Sequence, residues 1–300
     1  MTNITLKQLR YFEAVAKFRH FGKAAEACSI SQPALSVQIK ELERELNNPL
    51  FDRSGKKIRL TGFGEAFEKR VQAALQKVDD LSDFARAAQG QMIGKLRLGI
   101  IPTIAPYYLP RLIHHLGADY SGMEIQVRET LTPKLLTELT DGRIDMAILA
   151  LPISDNQFEE VALFREDFVL VRSGADADKP IPDKDMLREM KLLLLEEGHC
   201  FRDQALAFCN IRSALTKDGL EASSLSTLVQ MVGAGLGVTL IPDMAVEVET
   251  KAAPVSISRF DSPKPERTVG VIWRKNSPIS AHLKEISQSI YQCCRNGRAD

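Results

Sequence analysis

The sequence predicts a chain in three parts: a small helical module closed by a β-hairpin, a long linker helix, and an α/β body. Three observations predict it. Charge is unevenly spread: residues 1–63 hold 11 Lys and Arg against 6 Asp and Glu, a surplus of +5. The remainder holds 28 against 33, so the formal net charge of zero hides a basic module on an acidic body. Apolar residues recur at alternating steps of four and three from Phe67 to Ala88, the spacing of a helix seam. Beyond Gly94 the texture changes to short strand-like runs separated by helical patterns.

Composition bounds the function. With 300 residues the chain has room for about two domains. An apolar fraction of 44% excludes a mainly disordered chain. The longest apolar runs, Met146–Ile153 and Leu192–Leu195, fall short of the ~20 residues that span a bilayer. The opening MTNITLKQLR has no apolar signal core, so a cytoplasmic protein with no membrane partner is expected. There the five cysteines, Cys28, Cys200, Cys209, Cys293 and Cys294, are expected to be thiols.

Taken in order, Thr5–Phe18 carries Leu6, Leu9, Phe12, Val15 and Ala16 at helical spacing. A short helix Lys23–Ala27 and a turn through Cys28 follow. Ser31 is a suitable N-cap and Pro33 sits in the first turn of the next helix. That helix buries Leu35, Ile39, Leu42 and Leu46. Its other face offers Gln32, Ser36, Val37 and Lys40. Leu50–Leu60 reads as a basic hairpin with Arg53, Lys56, Lys57 and Arg59. This is the pattern of a winged helix-turn-helix, whose second helix enters the major groove while the wing meets phosphates. The expected DNA surface is Ser31, Gln32, Pro33, Ser36, Val37, Lys40, Arg53 and Lys56, with the side chains suited to base edges at Gln32 and Ser36. A plain three-helix bundle with solvated polar residues is the alternative.

Gly62 and Gly64 precede a long helix without Pro or Gly up to Gly90. Its seam of Phe67, Val71, Ala74, Val78, Leu81, Ala85 and Ala88 favours a partner helix, hence a homodimer presenting two reading heads. The expected domains are residues 1–61, a linker helix over 62–91, and an effector domain over 92–300.

Strands are expected at Lys95–Ile100, Glu124–Val127, Asp145–Leu151, Phe168–Val171, Lys191–Leu195, Val238–Ile241 and Thr268–Trp273, in largely parallel sheets. Helices are expected at Pro133–Leu139, Asp203–Cys209 and Leu225–Val232. The glycines of Gly233–Gly237 precede a strand rather than opening a helix, so they read as a helix end and turn, not a dinucleotide loop. The five histidines show no metal-ligand spacing, and no cofactor is expected. Cys293 and Cys294 fall in an expected frayed tail, and Cys28 in the core of the helical module.

The chemistry concentrates in GHCFRDQALAFC, Gly198–Cys209. Cys200 stands at the expected start of a helix, flanked by His199 and Arg202. Helix N-termini and neighbouring cations favour a thiolate, the species peroxides oxidise, and a second thiol can then close a disulfide. Cys209 is the nearest candidate, but a helix from Cys200 would separate the Cα atoms by ~13.5 Å on opposite faces. A disulfide needs about 7 Å or less. Two unrelated buried thiols, or a pair that joins only when the segment refolds, both remain open on this basis.

The run KQLRYFEAVAKFRHFGKAAEACSISQPALSVQIKELERELNNPLFDR resembles LysR-type transcriptional regulators, and the resemblance extends over the whole chain. Within that family, Gly99–Pro110, LLLLEEGHCFRDQALAFC (Leu192–Cys209) and SLSTLVQMVGAGLGVTLIP (Ser224–Pro242) resemble the hydrogen-peroxide-sensing branch. The resemblance implies a two-lobed, periplasmic-binding-protein-like effector domain. It implies that Cys200 reacts with peroxide, that Cys209 resolves it as a Cys200–Cys209 disulfide, and that Thr103, Thr132, His199, Arg202, Asp203 and Arg267 shape the pocket. It further implies promoter DNA, RNA polymerase and a second dimer as partners, and resetting by a cellular dithiol. The match at Arg267 is the weakest, and Asn210–Glu221 departs from common relatives. A regulator answering a small-molecule inducer, a thiol peroxidase and a periplasmic solute-binding protein are the competing readings. The first would keep its response without Cys200. The second would turn over peroxide catalytically. The third is opposed by the N-terminal module.

Overall fold

The computed structural model describes residues 3–52, 58–88, 94–209, 221–261 and 264–296. The chain divides into two compact units, Met1–Ala85 and Arg86–Asp300, each with its own apolar core.

In the first unit, α1 (Leu6–Phe18) opens with a capping box in which Thr5 and Gln8 satisfy each other's backbone N–H. Helix α2 spans Phe21–Ala27, two residues earlier than the expected Lys23, because the His20 ring accepts from the Lys23 N–H at 3.3 Å and so caps the helix. Helix α3 (Gln32–Leu46) is capped by Ser31 and ends at Asn47 in the left-handed conformation. Leu35, Ile39 and Leu42 face inward against Phe12, Val15, Ala24 and Ala25. Strands β1 (Phe51–Asp52) and β2 (Arg59–Leu60) pair antiparallel. The Glu43 carboxylate accepts from the N–H groups of Leu50 and Phe51 at 2.9 and 3.2 Å, pinning the hairpin to α3. Arg53, Lys56 and Lys57 lie outside the described residues.

Helix α4 runs from Gly62 to Ala88, so the two glycines sit in its first turn rather than before it. Thr61 Oγ1 accepts from the Gly64 N–H at 2.9 Å and supplies the cap. At Gly64 a Cβ would stand 2.2 Å from the Leu50 carbonyl oxygen, so glycine alone lets the helix pass this close to the hairpin. The expected seam divides in two. Phe67 and Val71, with Leu75, pack on the core of their own module. Ala74 and Ala85 are exposed, Val78 is half-buried, and Leu81 is 68% exposed. The side chain of Ala88 lies outside those described.

In the second unit the order is β3 (Lys95–Ile100), α5 (Ala105–Asp119), β4 (Glu124–Glu129), α6 (Thr132–Thr140), β5 (Met146–Leu151) and β6 (Phe158–Ser173). A short 3₁₀ turn follows, then α7 (Lys184–Glu189), β7 (Leu194–Leu195), α8 (Cys200–Phe208), β8 (Glu221–Ala222), α9 (Leu225–Gly233) and β9 (Thr239–Pro242). Last come α10 (Asp243–Glu249), β10 (Val255–Arg259), β11 (Glu266–Arg274) and α11 (Ser280–Asn296).

The main sheet is mixed, not largely parallel. Strand β3 pairs parallel with β4 and β5. Strand β11 inserts antiparallel between β5 and β6, and β9 and β10 run antiparallel to β6. The late return of the chain through β11 is what breaks the parallel pattern. The segments read as Phe168–Val171 and Thr268–Trp273 belong to longer strands, β6 and β11. Glu159, Glu160, Arg165, Glu166 and Asp167 interrupt the apolar pattern of β6 and hide its length.

Two lobes result. Phe158 and Leu163 of β6 join the core built on β3, β5, α5 and α11. Phe168–Val171 of the same strand join a second core with α8, α9 and β9. Strand β6 therefore passes from one lobe into the other. The run Lys191–Leu195 contributes only β7 and a bridge from Leu192 to Val238. Gly233–Gly237 ends α9 and turns into β9 as expected. The C-terminal segment is not frayed at Cys293 and Cys294: both are buried in α11, where Leu283, Ile286 and Ile290 hold the helix on the first core.

Candidate functional site

Helix α8 begins at a tight turn. Gly198 has φ +96°, a conformation side chains rarely adopt, and it swings the backbone so that His199 becomes the N-cap and Cys200 the first helical residue. Cys200 is half-buried and packs at the edge of the first lobe's core. Cys209, the C-cap residue of the same helix, is fully buried in the core of the second lobe. Both are free thiols. One nine-residue helix thus carries a thiol at each end, each in contact with a different core.

Cys200 lines a narrow cleft with Ile101, Pro102, Thr103, Leu131, Thr132 and His199. Thr103 follows β3, and Thr132 is the first residue of α6. The Thr103 hydroxyl oxygen accepts from Arg267 Nη1 at 2.8 Å, and its carbonyl accepts from Nη2 at 2.9 Å. The third arm of the guanidinium, Nε, donates to Glu166 at 2.7 Å. Arg267 and Glu166 are almost wholly buried, at 2% and 3% exposure, so each neutralises a charge that would otherwise be costly. The guanidinium also lies 5.6 Å over the ring of Phe201, the residue after Cys200. Phe201 in turn meets Phe168 edge-on at 4.6 Å. Arg267 therefore ties the threonine side of the cleft to α8 and to β6.

The polar atoms facing Cys200 have spare capacity. Thr132 Oγ1 is buried with no hydrogen-bond partner among the described residues. Because Thr103 already accepts from Arg267, its own O–H is available to donate. Such atoms suit a small ligand with both donor and acceptor oxygens.

His199 flanks the thiol as the sequence places it. Burial, opposed by Glu196, holds the imidazole below its ordinary pKa. The lowered value favours a neutral imidazole that can donate and accept, and Cys200 stands at the positive end of the α8 dipole. A pH test follows. Above pH ~6.5 the unfolded and folded imidazoles are both neutral. Below it, the unfolded chain takes up a proton that the folded one resists, so stability falls as pH drops from ~6.5 towards the lowered folded value. The urea midpoint is expected to fall more between pH 7 and pH 5 in the native chain than in His199→Gln; parallel profiles would refute the assignment.

Arg202 and Asp203 are placed differently from expectation. Arg202 Nη1 donates to the Leu195 carbonyl at 2.7 Å and pairs with Glu221 at 2.8 Å, fastening α8 to β7 and β8. Asp203 is exposed. Two residues went unread in the sequence. Gln204 lies one helical turn after Cys200, and its buried Oε1 has no partner among the described residues. The i, i+4 spacing was the available signal. Glu166, the partner of Arg267, carried none.

Cys28 is half-buried at the end of α2, where desolvation, with Glu13 adding to it, raises its thiol pKa. On α3, Ser31, Gln32, Pro33, Val37 and Lys40 are exposed and Ser36 is half-buried, so the expected reading face is outward. Among the described residues no cluster of three His, Cys, Asp or Glu side chains could hold a metal ion. Nor, among the described residues, is any helix long and apolar enough to cross a membrane.

Comparison with known proteins places both units. Residues 6–65 match the family described as bacterial regulatory helix-turn-helix protein, lysR family, and residues 89–292 match the LysR substrate binding domain. A probable hydrogen peroxide-inducible genes activator of Streptomyces viridosporus is 42% identical over 97% of this chain and 95% of its own. A full-length cysteine variant of OxyR from Pseudomonas aeruginosa is 36% identical, with a TM-score of 0.72 over 97% of this chain and 99% of that one. A hydrogen-peroxide-bound cysteine variant of OxyR from Corynebacterium glutamicum is 33% identical, with a TM-score of 0.67 over 98% and 94%.

Proposed function

The chain belongs to the LysR family of bacterial transcriptional regulators, and on that footing we propose that it is a DNA-binding activator switched by hydrogen peroxide through a reversible Cys200–Cys209 disulfide. The observation that carries this reading is one helix with a thiol at each end: Cys200 in a cleft whose Thr132 hydroxyl has no partner among the described residues, Cys209 buried in the other lobe.

The chemistry balances within the chain. Thr103, Thr132 and neutral His199 hold peroxide against Cys200, whose thiolate forms at the N-terminus of α8. The sulfur attacks one peroxide oxygen, the O–O bond breaks, and the products are a Cys200 sulfenic acid and hydroxide, which leaves as water on protonation. The Cys209 thiol then displaces the sulfenic oxygen as a second water, and the disulfide closes. Two electrons pass from the two thiols to one peroxide. A cellular dithiol reverses the step by exchange. Peroxide is consumed once per switching event rather than turned over.

The remaining assignments rest on the family and on exposure. Ser31 and, on α3, Gln32, Pro33, Ser36, Val37 and Lys40 would meet promoter DNA in the cytoplasm, and the family resemblance alone adds Arg53 and Lys56. Val37 suits a thymine methyl group and Lys40 a phosphate. The exposed part of the α4 seam pairs two chains, and two such dimers form the unit that meets RNA polymerase. Leu81→Glu is expected to convert dimers to monomers at micromolar concentration by sedimentation, with a thermal midpoint that no longer rises with protein concentration; an unshifted sedimentation profile would remove Leu81 from the interface. The function itself is tested by footprinting a promoter before and after one equivalent of peroxide. The protected region is expected to shift and to return on adding a dithiol, and a footprint indifferent to peroxide would overturn the reading.

A further inference from the structure

Cys293 and Cys294 are neighbours in the last turn of α11, and both are buried thiols of the first lobe's core. The peroxide switch uses neither. The Tyr108 hydroxyl of α5 stands 2.7 Å from Cys294 Sγ and donates to the Ile290 carbonyl at 3.2 Å. Burial raises the Tyr108 pKa most, and Cys294 and then Cys293 raise it further, so both thiols meet one phenol. Arg111 Nη2 donates to the Cys293 carbonyl at 2.7 Å and fastens this turn to α5. Cys294 also lines a cavity of about 480 Å³ together with Tyr108, Phe164 and Met244. Two sulfurs are thus held side by side and can be reached from a cavity that shares no lining residue with the Cys200 cleft.

The geometry selects the chemistry. Neighbouring Cα atoms lie about 3.8 Å apart, short of the ~4.4 Å at which disulfide spans usually begin. An intact α11 therefore resists a direct bond between the two sulfurs. Successive side chains stand only ~100° apart around a helix, so an atom placed between the sulfurs can join them without unwinding it. Among the described residues no third His, Cys, Asp or Glu completes a metal site with the pair, and an ion that needs four ligands is poorly served. A soft centre that takes two sulfurs and brings its own third substituent fits instead. The last turn of a helix is the negative end of its dipole, and the surroundings are apolar. Both features favour a neutral product over a charged one.

We propose that Cys293 and Cys294 form a dithiol site for a trivalent organoarsenical, the arsenic bridging the two sulfurs and its organic group lying in the cavity against Tyr108, Phe164 and Met244. The arsenical arrives as an oxide, R–As=O. Each sulfur forms one As–S bond, the arsenic–oxygen bond breaks, and the oxygen leaves as water with both thiol protons. Arsenic stays trivalent, so no electrons are exchanged and no oxidant is needed. The adduct is as uncharged as the two thiols it replaces, and the organic group removes ring and thioether surface from water. Cys294 bonds first, from the cavity, and Cys293 then closes the second bond within the same molecule, which makes the adduct far more lasting than a single As–S bond.

The test is treatment of the reduced full-length chain with one equivalent of phenylarsine oxide, then excess glutathione, followed by intact-mass measurement and peptide mapping. One phenylarsenic group per chain is expected to survive the monothiol, to map across Cys293 and Cys294, and to leave on adding excess dithiothreitol. The double variant Cys200→Ser with Cys209→Ser is expected to retain the adduct in full. Cys293→Ser and Cys294→Ser are each expected to lower the resistance to glutathione at least about a hundredfold, the gain that a second, intramolecular bond confers. An adduct that glutathione strips from the native chain overturns the proposal, as does one that maps to any other cysteine. Undiminished resistance in Cys294→Ser overturns it too. Because the mapping is done on the native chain, a serine variant that fails to fold leaves the test intact.

Discussion

Cys200→Ser is expected to abolish the peroxide response outright, and Cys209→Ser to convert a lasting response into a transient one. The serine hydroxyl has no thiolate chemistry, so promoter occupancy with Cys200→Ser stays at its reduced-state value at any peroxide dose that leaves other residues intact. With Cys209→Ser the first oxidation still proceeds, but the sulfenic acid at Cys200 finds no partner. It is trapped by a sulfenate reagent or passes to irreversible oxidation. The difference follows from geometry. Cys200 and Cys209 are the first helical residue and the C-cap of one helix, so their Cα atoms lie ~13.5 Å apart, nearly twice the span a disulfide tolerates. Closing the bond must unwind α8. Phe201 and Leu206, buried in the second lobe's core, are worth about 2 kcal/mol each in apolar burial. Every ~1.4 kcal/mol of refolding cost makes the disulfide about 30 mV easier to reduce, which keeps the switch within reach of a cellular dithiol. A full response from Cys200→Ser would mean that the sensor lies elsewhere in the chain.

Arg267→Met is expected to destabilise the effector unit by about 3–5 kcal/mol, the usual effect of stranding one charge of a buried pair. The cause is Glu166. With the guanidinium gone, its carboxylate, 3% exposed, still accepts from the Met244 N–H but has lost its charged partner. Thr103 loses both contacts that fix its position, and Phe201 loses the cation over its ring. The double change Arg267→Met with Glu166→Gln is expected to recover most of the stability, because it removes the orphaned charge, without recovering the rate at which Cys200 is oxidised. Urea unfolding of the full chain reads the first quantity and thiol-alkylation kinetics the second. A single-variant loss below about 1 kcal/mol would show that solvent reaches the pair.

The parts of the fold that were legible in the sequence are those set by local spacing. The cap at Ser31, the inward face of Leu35, Ile39 and Leu42, and the start of α8 at Cys200 can all be read from neighbouring residues. What could not be read depends on partners far along the chain. The antiparallel insertion of β11 joins Thr268 to Leu151 and Arg267 to Glu166, and no local pattern announces either pairing. The charged stretch of β6 looks like a loop until its neighbours on the sheet are known. The same holds at the site. Cys200, Cys209 and the flanking His199 stand in one motif. Thr103, Thr132 and Arg267 entered only through resemblance, because three separate elements bring them together. The depressed pKa of His199 could not be read from the motif, because it comes from burial by residues distant in the sequence. In α4, regular spacing concealed a change of role, with Phe67 and Val71 turned to their own core and Leu81 left outside.

The central claim is a direct bond between two particular sulfurs out of five. It is tested most directly by treating the reduced chain with one equivalent of hydrogen peroxide, blocking the remaining thiols, digesting, and mapping the linked peptides by mass. The account predicts one dominant crosslink, between Cys200 and Cys209, with Cys28, Cys293 and Cys294 recovered as blocked thiols, and loss of amide-exchange protection across Ala205–Cys209 in the same sample. A dominant crosslink through any other cysteine, or a Cys200–Cys209 bond formed with α8 still protected, would contradict it.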